Sequence, residues 1–237
     1  ASFFYSYQYI LRVIPNILIT DIISLFSIDS QIFGQFSGIY YIGYCLAHIP
    51  IGMMLDRHGV KIVMSSCLLL NAIGILLMLP TSSFLYPFIG RIFIGIGSSA
   101  AILSVFKTIR LIFAEEKFTR MLSISVMIGL IGAIYGGMPL EYMYSIMGYE
   151  KIIIFLASLG IILAITSYLI VPNDGKTKRE EIQTSFLTDI KDVLSNGKVL
   201  LVCILAGTMI GPMEGFADVW GGVFFERVYG FDKSLAA

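Results

Sequence analysis

Long runs without a charged residue alternate along this chain with short charged segments. Residues 31–55, 62–90, 121–140 and 152–173 contain no Asp, Glu, Lys or Arg. A helix needs about 20 mainly apolar residues to cross the bilayer hydrocarbon. The pattern therefore predicts seven membrane-spanning helices, at about residues 2–26, 32–55, 62–80, 84–107, 120–140, 152–172 and 198–224. Polar or charged breaks at 27–31, 56–61, 80–83, 115–117, 141–151 and 173–197 separate them. The third and fourth spans share one uncharged run, and only the turn Pro80-Thr81-Ser82-Ser83 divides them.

The basic residues orient these spans. Segments 56–61, 107–120 and 173–198 fall on one side and hold Arg57, Lys61, Lys107, Arg110, Lys117, Arg120, Lys176, Lys178, Arg179, Lys191 and Lys198. The other side holds Lys151, Arg227 and Lys233. Eleven against three is a positive-inside bias. It predicts a cytoplasmic N-terminus and a multi-pass protein of a bacterial inner membrane.

Residues 173–197 read as a solvated linker. A charge cluster at 174–181 precedes Phe186, Leu187, Ile190, Val193 and Leu194 at helical spacing, a short amphipathic helix lying on the membrane surface. The expected organisation is a six-helix bundle over 1–172, a charged cytoplasmic linker over 173–197, and a seventh span over 198–237 that begins a second, mostly absent bundle. The ragged ends suggest part of a longer protein.

Composition agrees. Charged residues make up 14% of the chain against about 25% in soluble domains, and mean hydropathy is +0.87. The zero net charge implies no nucleic-acid partner. Cys45, Cys67 and Cys203 all fall in apolar segments with no metal-ligand spacing, so they read as core thiols. Two histidines, with no H-E-x-x-H or G-x-S-x-G, argue against a metal site, a cofactor and an enzyme.

Ionisable groups within a membrane cost roughly 2.5–3.5 kcal/mol each on insertion scales and therefore mark function. Arg12 lies mid-way along the first span, and Tyr5, Gln8, Tyr9, Arg12 and Asn16 share one helical face. Such a stripe can hold a carboxylate through a bidentate contact, unless the span is shifted and Arg12 snorkels to the surface. Glu214 and Asp218 lie one turn apart after Gly211-Pro212, which should kink or unwind the seventh span. Their mutual repulsion in a low dielectric favours carrying a proton; if the span ends early, both are external. Arg91 pairs with a carboxylate in proton coupling or binds backbone carbonyls. Tyr44 belongs to a cavity wall or to packing. His48 reads as a packing residue, Lys107 as a snorkelling lysine, and Asp21 as solvated near the outer surface.

The run Gly52-Met53-Met54-Leu55-Asp56-Arg57-His58-Gly59-Val60-Lys61 resembles the loop between helices 2 and 3 of major facilitator superfamily transporters, written G-x-x-x-D-R-x-G-x-[KR]. Arg91-Ile92-Phe93-Ile94-Gly95-Ile96-Gly97 is similar to that family's R-x-x-x-G-x-G. Gly132-Ala133-Ile134-Tyr135-Gly136-Gly137 resembles its G-P-x-x-G-G, with Ala133 where proline is usual. Trp220-Gly221-Gly222 is similar to the end of helix 7.

The resemblance implies an all-α membrane protein with a major facilitator-type bundle, seven of an expected twelve helices being present. It implies a monomeric secondary transporter of a small polar or anionic metabolite, with protons as a second partner. Arg12, Asn16, Gln8, Tyr44 and Trp220 are the expected substrate contacts. Glu214, Asp218 and Arg91 are the expected proton-coupling groups. Gly52, Asp56, Arg57, Gly59 and Lys61 form the expected conformational latch, with the partner of Asp56 in the missing bundle. The competing reading is a seven-helix receptor or another non-transport polytopic protein.

Overall fold

A computed structural model describes residues 1–79, 82–172, 195–216 and 220–231. The charged linker with its amphipathic helix, and Asp218, lie outside these described residues. Ten α-helices are present among them. The first is α1 (Ser2–Phe26), as wide as the first predicted span. It ends at Ser27, whose φ of 51° and N–H bond to the Ile23 carbonyl close the helix in a left-handed cap. Asp29 opens α2 (Ser30–His58), its carboxylate accepting the Ile32 N–H at 2.7 Å. Gly59 follows at φ 82°, a conformation that favours glycine, and leads directly into α3 (Val60–Leu76).

The fourth span is two helices end to end, α4 (Leu85–Ser98) and α5 (Ala100–Ile112), joined at Ser99, whose hydroxyl donates back to the Ile96 carbonyl. The fifth is α6 (Phe118–Tyr135). The break expected at 141–151 is mostly helical: Pro139, in the first turn, helps to start α7 (Met138–Met147). Gly148, at φ 77°, then turns the chain into α8 (Tyr149–Ile170). The seventh span is α9 (Gly197–Gly215) followed by α10 (Gly221–Tyr229). Pro212 is accommodated inside α9, where the sequence suggested a kink or unwinding.

Six of these segments are long and apolar enough to cross a membrane by themselves, and α3 is a shorter apolar helix of 17 residues. At 1.5 Å per residue α3 spans about 26 Å, close to the hydrocarbon thickness.

The spans pack as α1 with α6, α2 with α4, and α3 with both α4 and α8. Glycines set these contacts. A Cβ on Gly95 would run into the Tyr40 carbonyl of α2, one on Gly90 into the Gly74 carbonyl of α3, and one on Gly132 into the Ser6 carbonyl of α1. Backbones therefore touch without intervening side chains, the arrangement small residues permit in membranes. At Gly52, by contrast, a Cβ would meet only the Leu103 side chain, at an ordinary 3.8 Å.

At the end opposite the basic loops, Phe26, Phe36 and Phe84 join α1, α2 and the start of α4, with ring centroids 5.5–5.7 Å from that of Phe84. There Tyr144 of α7 donates to Asp21 of α1, and Tyr149 donates to the Met78 carbonyl at 2.7 Å. Asp21 is thus half-buried and bonded, where the sequence suggested simple solvation.

Candidate functional site

A cavity of about 590 Å³ lies between α1, α2 and α9. Its α1 wall is the polar stripe of Tyr5, Gln8, Tyr9 and Arg12. Tyr40, Tyr41, Tyr44 and Cys45 line it from α2. From α9 come Ala206, Gly207, Ile210, Gly211, Glu214 and Gly215.

Two opposite charges face each other across this space. Arg12 Nη2 stands 3.3 Å from Glu214 Oε1, the two side chains being 11% and 32% exposed. The guanidinium also lies over the Tyr9 ring, 4.9 Å from its centroid. The tyrosines are held by one another and by Gln8: Gln8 Nε2 donates to the Tyr40 hydroxyl at 2.8 Å, and the Tyr5 and Tyr9 hydroxyls are 3.1 Å apart. Tyr40 and Tyr44 stack at 6.0 Å, and the His48 ring tilts against Tyr44 at 5.3 Å. The arrangement can receive an anionic group at Arg12 and an apolar or hydroxyl-bearing body along the tyrosines.

Of the residues expected to contact substrate, Gln8, Arg12 and Tyr44 meet at this cavity. Arg12 is held by Glu214, where snorkelling was the alternative. Asn16 shares the helical face but sits one turn beyond the cavity wall. Trp220 is not among the residues lining the cavity. It is 45% exposed, with its ring beside Gly34 near the start of α2. Tyr5, Tyr9, Tyr40, Tyr41, Cys45 and the small residues of α9 complete the site. The stripe pattern on α1 pointed to the first two; the glycines of α9 carried no signal without the facing helix.

Arg91 makes the backbone contact that one of its two readings describes. Buried at 1% exposure, it donates from Nη1 to the Leu11 carbonyl at 2.8 Å and lies 4.9 Å over the Tyr40 ring. It braces the backbone of α1 directly behind the cavity.

At the basic end, Asp56 has a partner inside the chain. Lys107 Nζ from α5 lies 3.1 Å from Asp56 Oδ1 and also donates to the Leu55 carbonyl at the end of α2. Asp56 thus has one partner within this chain, beside the one the resemblance implies on the second bundle. Arg57 is exposed, and Lys61 stands 4.6 Å over the Tyr168 ring of α8. Among the described residues no group of three His, Cys, Asp or Glu side chains is placed to hold a metal ion.

A bundle of apolar helices around a charged central cavity defines a polytopic membrane protein. The sequence model of the Major Facilitator Superfamily matches residues 1–237, and the chain belongs to that family. No curated protein sequence matches it. Two similar solved structures are of a bacterial homologue of the human lysosomal transporter Spinster. In its inward-facing, occupied conformation it is 19% identical with a TM-score of 0.67, and the match covers 100% of this chain and 55% of that one. In its inward-facing, unoccupied conformation the values are 17%, 0.69, 99% and 56%. The likeness establishes the fold, and the chain spans little more than half the length of those proteins.

Proposed function

We propose that the chain is part of a secondary active transporter that moves a small polar or anionic metabolite across a membrane by alternating access, coupled to protons. The observation that carries this reading is the Arg12–Glu214 ion pair inside the cavity between the first and seventh spans. An anionic substrate competes with Glu214 for the guanidinium. Once Arg12 is engaged by substrate, Glu214 is a carboxylate without its counter-ion in a low dielectric, and protonation neutralises it. Substrate and proton then travel together. Family membership supports transport over a seven-helix receptor and over an enzyme.

In this reading the eleven-to-three basic bias places the Asp56–Lys61 loop and the N-terminus in the cytoplasm. The six spans up to residue 172 act as one bundle, residues 173–197 link it to the second, and the protein works as a monomer in a bacterial inner membrane. The Asp56–Lys107 pair, with Arg57, Gly59 and Lys61, forms the latch, and exchange of the lysine for a partner on the second bundle opens or closes it.

The test is uptake by proteoliposomes containing the full-length protein, from a panel of labelled organic acids, amino acids and sugars, with and without an inward proton gradient. The expected result is accumulation of an anionic compound only with the gradient. Accumulation that ignores the gradient sinks the coupling, and preference for uncharged sugars sinks the anion reading.

A further inference from the structure

Pro15 lies inside α1, four residues after Leu11. A proline has no N–H, so the donor that would close the helical bond to the Leu11 carbonyl is missing, and the ring crowds that same oxygen. The gap falls directly beside Arg12. Within a membrane a backbone oxygen has to find its donor inside the protein. Arg91 supplies one from α4. Its Nη1 donates to the Leu11 carbonyl at 2.8 Å, a contact between residues 80 positions apart.

The same guanidinium engages α2. It lies 4.9 Å over the Tyr40 ring and 5.8 Å over that of Phe36. The Tyr40 hydroxyl in turn accepts from Gln8 Nε2, three residues before Leu11 on α1. A closed circuit of Arg91, Leu11, Gln8 and Tyr40 therefore ties α1, α2 and α4 together beside the cavity, and all four residues are buried.

We infer that Arg91 is a positioning residue for Arg12. It makes the hydrogen bond that Pro15 removes, and so holds α1 at the pitch that presents the Arg12 guanidinium to the cavity. The inference rests on the reading of Arg12 as the anion-binding group. Arg91 is not among the residues lining the cavity; it acts through the backbone next to Arg12. A proline in mid-span weakens α1 where the binding side chain projects, and an arginine buried in the bundle needs an acceptor. Each supplies what the other lacks.

Pro15→Ala provides the test, because alanine restores the N–H and gives the Leu11 carbonyl a partner without Arg91. The unfolding equilibrium of the full-length protein is measured by SDS titration in mixed micelles for Arg91→Met, Pro15→Ala and the double variant. Arg91→Met alone should shift it toward unfolding by at least about tenfold, the scale of a hydrogen bond from a charged donor. In the Pro15→Ala background the same substitution should lose most of that effect. If Arg91→Met alone does not fold, a folded double variant is the same result in stronger form, and a double variant that also fails overturns the inference.

Orientation is read separately, since a brace that only stabilises would leave it unchanged. Arg12→Cys is placed in each background, and its alkylation by N-ethylmaleimide in nanodiscs is followed by peptide-resolved mass spectrometry. Cys45, on the α2 wall of the cavity, is the internal standard, and Tyr9→Cys, on the α1 wall, is a second reporter. Relative to Cys45, alkylation at position 12 should fall about threefold on Arg91→Met, an orientation preference of about 0.7 kcal/mol. It should recover when Pro15→Ala is added. Additive effects of Arg91→Met and Pro15→Ala overturn the shared carbonyl, and unchanged ratios at positions 9 and 12 overturn the positioning. Neither result touches the anion reading, which uptake by Arg12→Ala decides by itself.

Discussion

Arg12 of α1 and Glu214 of α9 hold each other at 3.3 Å from opposite walls of one cavity. The bond matters the more because α9 has no buried residue in its described length. Removing one partner of such a pair leaves a charge uncompensated, which costs roughly 3–5 kcal/mol when the site is buried. Arg12→Ala should therefore nearly abolish uptake. Arg12→Lys keeps the charge but loses the planar fork. It should raise the apparent KM about ten- to a hundredfold, the worth of a charged hydrogen bond of about 1.5–3 kcal/mol. Unchanged affinity in Arg12→Ala would remove Arg12 from the binding site.

Glu214→Gln separates coupling from translocation. It should eliminate accumulation against a gradient, because the amide cannot take and release the proton, while exchange of labelled for unlabelled substrate continues. His48 packs on Tyr44 outside the cavity wall, so His48→Gln should preserve both activities. Gradient-driven accumulation by Glu214→Gln would move the coupling elsewhere.

The Asp56–Lys107 pair should matter more for transport than for folding. The Asp56 side chain is 72% exposed, and exposed pairs contribute about 0–1 kcal/mol. Asp56→Asn and Lys107→Met should thus leave thermal unfolding nearly unchanged while each cuts uptake at least about tenfold. Full uptake by both, at normal expression, would strip the pair of any latch function.

Glycines of different faces should respond oppositely to the same methyl group. Gly132→Ala drives a Cβ into the Ser6 carbonyl and should destabilise the bundle by about 1–3 kcal/mol, as overpacking does. At Gly211 a Cβ meets no atom within 4 Å among the described residues, and Gly211→Ala should be neutral or stabilising by up to about 1 kcal/mol through helix propensity. Thermal unfolding of the two purified variants checks the difference; equal destabilisation would contradict the packing described.

Lys117→Cys reports the orientation. A membrane-impermeant maleimide should label it from the cytoplasmic side alone. Labelling from outside would invert the topology and the span assignment with it.

Much of this fold is legible in one sequence because bilayer thickness imposes a minimum apolar length. The first span runs from residue 2 to 26 in the hydropathy pattern and in α1 alike. Local chemistry that resets a helix is harder to read. The Ser99 junction and α7, which starts after Gly136-Gly137, both interrupt or extend spans without changing their hydropathy. The site divides similarly. Periodicity alone placed Tyr5, Gln8, Tyr9 and Arg12 on one face. The Leu11 carbonyl under Arg91 and the Lys107 amine at Asp56 lie 80 and 51 residues away in sequence. No local pattern records such contacts.

The glycine seam between α2 and α4 has a mechanical consequence. At Gly43 and Gly95 the two backbones touch, with the Ile92 carbonyl and the Tyr40 carbonyl as the opposing atoms. No flexible side chain lies between them to absorb displacement, so the two helices behave as one stiff lever. That lever bears Tyr40 and Tyr44 at its midpoint and Asp56 at its tip. A tilt imposed at the charged loop reaches the tyrosine wall without loss, and a ligand wedged against that wall pushes back on the loop.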